Sequence, residues 1–254
     1  MKKTFFAICA LLLLSSLLLC SCERDFNADL GAVTTAASTS ATTEPYYSKP
    51  ASSASATKKD PPKQEDIDLS DANIEDFEET DEQTNYVVIS VEGYGDILIR
   101  LFPEVAPITV NNFKTLVANK FYDGLIFHRV IENFMIQGGG YTTLGQEVPS
   151  PTIKGEFASN GFENNLLHVE GVISMARTNV PDSASSQFFI MHKTAPHLDG
   201  QYAAFGYAAD GRDVVDAIAK CSTNHNDMPV PSVVISSVRF VKEKVIVAAP
   251  QTID

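Results

Sequence analysis

The spacing of hydrophobic residues divides the chain into three parts. Residues 4–19 are an almost continuous apolar run, residues 20–84 carry few large apolar side chains, and from residue 85 onward apolar residues recur with the spacing of strands and helices. Of the 23 aromatic residues, 17 lie after residue 84. Because a packed core needs large apolar side chains, we predict one folded domain at residues 85–242 and a C-terminal tail at residues 243–254.

Within this domain the apolar pattern predicts mainly β-strands. Tyr86–Val91, a tight turn at Gly93–Gly95 and the alternating run Asp96–Phe102 predict an antiparallel hairpin. We predict further strands at Leu125–Ile131, Phe134–Gln137, Gly171–Ala176, Gln187–Met191, Ala203–Tyr207 and Val233–Val241. Helical spacing predicts one helix after Pro107 and a shorter one at Asp213–Lys220. About eight strands with Gly-rich turns favour a closed barrel, because closure leaves no unpaired edge.

The first 21 residues have the pattern of a secretory signal peptide. Lys2 and Lys3 precede an apolar run that two serines interrupt, and the run is shorter than the roughly 20 residues that a membrane-spanning helix needs. The residues Leu19–Cys22 resemble a bacterial lipobox, which implies that Cys22 is lipidated and becomes the new N-terminus. A membrane-spanning anchor and ordinary cleavage that releases the protein remain as alternatives.

Residues 22–84 have the composition of a flexible tether. Between Ala32 and Thr57, 19 of 26 residues are Ala, Ser or Thr, and the stretch Asp60–Glu82 is strongly acidic around isolated apolar residues. Such segments bury too little apolar surface to offset the entropy cost of ordering. We therefore expect a solvated, self-repelling tether with a reach of roughly 45 Å. Calcium binding is the alternative, but the ligand spacing of an EF-hand is absent.

Charge and cysteine content narrow the possible partners. The net charge is −13, of which −10 falls on residues 23–84, and an acidic chain of this kind argues against nucleic-acid binding. If Cys9 and Cys20 leave with the signal peptide and Cys22 carries lipid, Cys221 has no disulfide partner and is expected to be a small buried side chain. We predict neither a metal nor a cofactor, since His192 and His197 lack further ligands at suitable spacing.

Residues 127–140 contain the densest group of unusual side chains. Arg129 lies within an apolar strand pattern, where an arginine is costly to bury unless its N–H groups are used. An arginine that bonds a loop carbonyl at a strand end is the structural alternative. Gly138–Gly140 lacks the Lys and Ser or Thr that follow in a phosphate-binding loop. Ser183, Ser185 and Ser186 lack the glycine pattern of a hydrolase nucleophile.

The run Phe127–Gly139 resembles the signature of the cyclophilin peptidyl-prolyl isomerases, and the resemblance is greatest to the bacterial single-domain branch. It covers roughly residues 85–242 and continues through Gly171–Ala176, Ser185–Ile190, Leu198–Gly200 and Phe205–Gly206. The resemblance implies a closed eight-stranded antiparallel barrel capped by two α-helices. It also implies an outer groove that binds proline-containing polypeptides without a cofactor.

The resemblance also implies which residues form that groove. The implied catalytic residues are Arg129, Phe134 and Gln137. The implied substrate-binding residues are Met135, Ala176, Gln187, Phe189, His197, Leu198 and Tyr202. Many eukaryotic members have Asn, Trp and His where this chain has Arg177, His197 and Tyr202, and Gly140 replaces a frequent Asp, so groove selectivity is expected to differ.

Rotation about an X-Pro bond needs no nucleophile and no proton transfer. Its barrier of about 18–20 kcal/mol comes from donation of the nitrogen lone pair into the carbonyl. A fixed cation near the prolyl nitrogen favours the twisted amide, which is the role we expect for Arg129. We expect the neighbouring His128 to lie on the opposite face of the strand and to make a structural hydrogen bond.

The whole sequence is interpreted as a monomeric peptidyl-prolyl cis-trans isomerase. Lipid on Cys22 would hold it at the cell membrane outside the cytoplasm, where it would assist the folding of exported or cell-surface proteins. A non-catalytic module that uses the same groove to hold proline-containing segments is the first alternative. A lipoprotein adhesin whose function lies in the tether is the second.

Overall fold

The computed structural model describes residues 62–245. The expected signal peptide, the lipidation residue Cys22, most of the expected tether and most of the C-terminal tail lie outside this range. The strands are β1 (Phe77–Glu79), β2 (Tyr86–Val91), β3 (Gly95–Leu101), β4 (Leu125–Ile131), β5 (Met135–Thr142), β6 (Val172–Met175), β7 (Phe188–Met191), β8 (Ala204–Asp210) and β9 (Val233–Glu243). The helices are α1 (Pro107–Ala118) and α2 (Arg212–Ala219).

Eight of the nine strands close into an antiparallel barrel. The strand order is β1-β9-β2-β3-β8-β6-β7-β5-β4, and β9 also pairs with β4 through Ile126↔Val234 and Phe127↔Val233. Strands β2 to β9 therefore form the closed barrel, and β1 adds to the other end of β9. The predicted fold of eight strands and two helices is confirmed, although β5 extends five residues beyond the predicted Gln137.

The barrel is filled by large apolar side chains from both the strands and α1. Phe113 of α1 is completely buried and packs against Phe188 and Phe205, whose ring centroids are 5.8 and 5.2 Å from its own. Interdigitated aromatic rings of this kind contribute dispersion and quadrupole energy beyond area burial. The wall that carries the groove is thus supported from inside by a rigid core.

The N-terminus of α1 is capped by a residue distant in sequence. The position before Pro107 is Ala106, which has no side chain to accept from the first helical N–H groups. The buried carboxylate of Glu156 accepts instead from the backbone N–H groups of Ile108 at 2.9 Å and Thr109 at 2.7 Å. Burial raises the pKa of Glu156, while these hydrogen bonds favour its ionised form.

Residues 62–84, here called the N-terminal segment, differ from the solvated tether that their composition predicts. Ile67 and Phe77 are only 7% and 8% exposed, and Phe77 packs against Tyr86 with ring centroids 4.9 Å apart. The segment also forms β1 on the barrel. The tether prediction is therefore wrong for these residues, because two isolated apolar side chains find partners on the barrel that local composition does not reveal.

Ion pairs and backbone bonds add to this attachment. Asp68 pairs with Arg100 of β3, and both carboxylate oxygens of Asp71 accept from Nη2 of Arg212 at 2.8 Å. The backbone N–H of Ala72 donates to the Ala209 carbonyl at 2.9 Å. Acidic side chains that appear mutually repulsive in the sequence are thus partly neutralised by basic residues of the barrel. The folded unit begins earlier than the predicted boundary at residue 85.

Among residues 62–245, no helix has both the length and the apolar character needed to cross a membrane.

Candidate active site

A groove of about 380 Å³ opens on the outer face of β4, β5 and β7. It is lined by Arg129, Phe134, Met135, Gln137, Ala176, Arg177, Phe189, His197, Leu198 and Tyr202. Nine of the ten predicted site residues line it, the exception being Gln187, and Arg177 is an additional lining residue. The structure thus brings together side chains that lie up to 73 positions apart in the sequence.

Strand register explains how the central side chains meet. Arg129 of β4 lies directly opposite Gln137 of β5, and Gln137 lies directly opposite Phe189 of β7. Residues opposite one another on neighbouring strands project from the same face of a sheet. The register therefore sets a cation, an amide and an aromatic ring in one row across the groove.

The apolar part of the groove surrounds this row. Met135, Phe189 and Leu198 are 2%, 5% and 7% exposed, so they form a preformed wall. The Phe134 ring is more exposed and stacks on His197, with centroids 5.7 Å apart and planes 27° apart. This arrangement forms an apolar pocket next to the Arg129 guanidinium.

Arg129 remains accessible beside this pocket. Its side chain is 44% exposed, and its Nε is 3.7 Å from the Asp227 carboxylate. That ion pair is exposed on both sides, so it neutralises the guanidinium only weakly. The cation is available to a ligand, which agrees better with a functional arginine than with one that bonds only a loop carbonyl.

Gln187 contacts the site through Gln137. The Gln187 Oε1 accepts from Gln137 Nε2 at 3.0 Å, and Gln187 does not line the groove itself. A Cβ at position 140 would lie 2.4 Å from Gln187 Cγ, so the glycine at that position leaves room for this side chain. In the structure Gln187 supports Gln137, and its direct contact with substrate stays a prediction.

His128 lies away from the groove, on the opposite face as predicted from strand alternation. Its ring packs against Tyr141, with centroids 4.6 Å apart. Burial, with a smaller contribution from the charge of Arg129, lowers the pKa of His128 to about 4. The imidazole is therefore neutral at physiological pH, and its Nδ1 has no hydrogen-bond partner within residues 62–245.

Sequence reasoning missed a buried hydrogen-bonded group behind the groove. His168 Nδ1 lies 3.0 Å from Asp199 Oδ1, and His168 Nε2 lies 3.1 Å from Ser174 Oγ. Ser174 is completely buried, so it has no access to substrate and is not a nucleophile. The His168 ring stacks on Phe189 at 6.0 Å, and burial lowers its pKa. The group therefore supports the groove wall, and the irregular sequence around His168 gave no signal for it.

His192 and His197, which were considered as metal ligands, have separate roles in the structure. His192 accepts from the Asn133 backbone N–H at 2.9 Å and contacts Asp216 of α2 at 3.0 Å, whereas His197 stacks in the groove. Within residues 62–245 no group of three or more His, Cys, Asp or Glu side chains is arranged to hold a metal ion.

Comparison with known proteins identifies the class to which this fold and groove belong. Residues 86–240 match the family described as cyclophilin type peptidyl-prolyl cis-trans isomerase/CLD. The chain belongs to this family, and its activity is that of a peptidyl-prolyl cis-trans isomerase.

Individual relatives agree with this assignment. The chain is 44% identical over 166 residues to a peptidyl-prolyl cis-trans isomerase of Acinetobacter baylyi, covering 61% of this chain and 86% of that protein. It is 41% identical over 158 residues to peptidyl-prolyl cis-trans isomerase B of Escherichia coli, covering 57% and 93%. A crystal structure of a cyclophilin type isomerase of Cryptosporidium parvum, in the presence of the dipeptide Ala-Pro, superimposes with a TM-score of 0.52 at 29% identity, covering 61% and 97%.

Proposed function

We propose that this isomerase acts on X-Pro bonds of exported or cell-surface proteins and is held at the membrane by lipid on Cys22. The row of Arg129, Gln137 and Phe189 across the groove is the observation that carries the catalytic part of this proposal. The signal-like N-terminus and the residues Leu19–Cys22 support the location.

The roles of the groove residues follow from the chemistry of the amide bond. Phe134, Met135, Phe189 and Leu198 grip the prolyl ring, so the part of the chain before the proline rotates against a fixed ring. The Arg129 guanidinium interacts with the nitrogen lone pair, which becomes available only when the amide twists. An interaction that is stronger in the transition state than in the planar amide raises the rate. Gln137, held by Gln187, bonds the substrate backbone.

A proline-containing ligand is also consistent with the relatives. The Cryptosporidium parvum isomerase was crystallised in the presence of Ala-Pro. We infer that the apolar pocket of this chain accepts the prolyl ring of polypeptide substrates in a similar way. No cofactor is required, since the reaction breaks no covalent bond.

The isomerase part of the proposal is tested with the full-length protein in detergent. A protease-coupled assay on a proline tetrapeptide is expected to show acceleration of cis-to-trans conversion above the uncatalysed relaxation, which takes tens to hundreds of seconds. A chain that binds proline peptides without accelerating their isomerisation would be a binding module, and the catalytic proposal would fail.

The location is tested by comparing two cysteine variants in the native host. Cys22→Ser is expected to move the protein from the membrane fraction to the soluble fraction, because a diacyl anchor contributes about 0.8 kcal/mol per buried methylene. Cys221→Ser removes the cysteine of the folded domain and serves as the matched control, with membrane fractionation retained. Membrane association that persists in Cys22→Ser would overturn the proposed anchor.

A further inference from the structure

Arg177 is a second cation of the groove, and its side chain is held in one place. Its guanidinium carbon lies over the rings of both Phe157 and Tyr202, 4.8 and 4.7 Å from their centroids. Its Nε and Nη2 donate to the Gln201 carbonyl at 3.0 and 2.8 Å, and Nη1 donates to the Thr178 carbonyl at 2.8 Å. Two aromatic faces and three hydrogen bonds fix the guanidinium without neutralising it.

The charge of Arg177 has no anionic partner in the described part of the chain. All three of its hydrogen bonds go to neutral carbonyls, which leaves two of its five N–H donors without a partner among residues 62–245. Carboxylates in neighbouring loops are engaged elsewhere: Asp182 accepts from Gly155 and Asn160, and Asp199 accepts from His168.

The groove is therefore locally cationic in an acidic protein. Its ten lining residues include two arginines and no carboxylate, whereas the chain as a whole carries a net charge of −13. A positively charged groove on a negatively charged protein is a source of selectivity, since it attracts anionic ligands and repels cationic ones.

Arg177 lies close enough to the prolyl pocket to meet a neighbouring residue of the same substrate. The Tyr202 ring under its guanidinium is 5.7 Å, between centroids, from Phe189 of the pocket wall. The path from Phe189 through the Tyr202 ring to the Arg177 guanidinium is therefore about as long as three residues of an extended peptide, at roughly 3.3–3.6 Å per residue.

We propose that Arg177 makes the isomerase select substrates that carry an acidic side chain within about three residues of the proline. This inference rests on the proposed function, because it names the substrate class of the same groove. A carboxylate there accepts the two unused N–H groups of Arg177, whereas a lysine at the same place is repelled.

The test uses matched peptides with one proline and with Glu, Gln or Lys at each of the three positions on either side of it. Isomerisation is followed by NMR exchange, which needs no coupling protease that would itself respond to charge. At one position at least, the full-length protein is expected to give a kcat/KM about tenfold higher for Glu than for Lys. This ratio should fall towards unity in 1 M salt, where the Debye length is about 3 Å.

Three variants separate charge from structure. Arg177→Gln is expected to lower the Glu/Lys ratio at least threefold, and Arg177→Lys, which keeps the charge, to retain most of it. Arg212→Gln removes an arginine that also lies over a tyrosine ring but is outside the groove, and it is the matched control whose ratio should not change. Circular dichroism checks that each variant is folded.

The outcomes distinguish the two proposals. Catalysis of every peptide with equal kcat/KM, or a Glu preference that survives in folded Arg177→Gln, would overturn the inference and leave the isomerase function standing. Failure to accelerate isomerisation of any peptide would overturn the proposed function itself.

Discussion

The groove and the N-terminal segment both lie on the outside of the barrel, but different interactions form them. The central row of the groove, Arg129, Gln137 and Phe189, belongs to three adjacent strands, so sheet register alone fixes its members relative to one another. The N-terminal segment is attached by the three-residue strand β1, by the buried Phe77 and Ile67 and by the ion pairs of Asp68 and Asp71. The groove therefore depends on the integrity of the whole sheet, whereas the segment depends on a few local contacts.

Removal of the largest apolar anchor of the segment should give the largest change. Phe77→Ala is expected to lower the free energy of unfolding by about 3 kcal/mol, since it removes a buried aromatic side chain and leaves a cavity. The kcat/KM should stay within about twofold, because no residue of the segment lines the groove. Urea denaturation and the isomerase assay measure the two effects. Glu79→Ala, an exposed change in the same strand, is the control, and equal stability of the two variants would contradict the anchoring role of Phe77.

Acid should lower the stability of the barrel at β4 before it affects the segment. His128 is neutral in the folded state because its pKa is lowered to about 4, whereas in the unfolded chain it binds a proton below about pH 6.5. Stability is therefore lost as pH falls below 6.5, by at most about 2 kcal/mol at pH 5. The pKa of Asp68 is lowered, mainly by its hydrogen bond to the Ser70 hydroxyl, so its contribution persists at pH 5 and is lost only at lower pH.

The variant His128→Phe separates these two pH ranges. It keeps an aromatic ring against Tyr141 and removes the titrating group, so its urea midpoint should change less between pH 7 and pH 5 than that of the natural protein. An identical pH dependence in both proteins would mean that His128 is not the group responsible.

The catalytic role of the groove is tested by substitution of Arg129. Arg129→Ala is expected to lower kcat/KM at least about tenfold, or 1.4 kcal/mol of transition-state stabilisation, without a change in thermal midpoint. Arg129→Lys should recover little activity, because an ammonium lacks the planar fork of the guanidinium. Near-normal turnover by a folded Arg129→Ala protein would remove this residue from the mechanism.

The smallest effect is expected at an exposed ion pair of the segment. Asp71→Asn breaks the contact with Arg212, where the two side chains are 64% and 39% exposed, so the loss of stability should be about 0.5 kcal/mol. The difference should diminish further in 1 M salt. A loss as large as that of Phe77→Ala would show that ion pairs, rather than apolar anchors, hold the segment.

The sequence predicted the barrel from regular strand patterns, whereas most of the groove was inferred from the family resemblance. The limits of β4 matched the prediction, Leu125–Ile131, and the groove residues were inferred from motifs carried largely on strands. The roles of these residues in catalysis stay predictions until the variants are measured.

Features that depend on distant partners were missed. Arg177 packs against Phe157 and Tyr202, which lie 20 and 25 positions away in different loops, so no local sequence pattern predicts these contacts. Ile67 and Phe77 show no periodicity that would distinguish them from exposed residues of an acidic tether. Their burial is decided by surfaces on the barrel, and composition alone carries no information about those surfaces.

The position of β9 in the barrel also determines the order in which the fold can be completed. This last described strand lies between β2 and β4 and pairs with both, so the barrel cannot close until residues 233–243 are present. A ribosome delivers residues at about 5–20 per second from the N-terminus, so the barrel of the nascent chain stays incomplete until β9 emerges. During that interval the edges of β2 and β4 that β9 covers in the finished barrel lack a partner strand. This makes the protein itself a candidate client of chaperones.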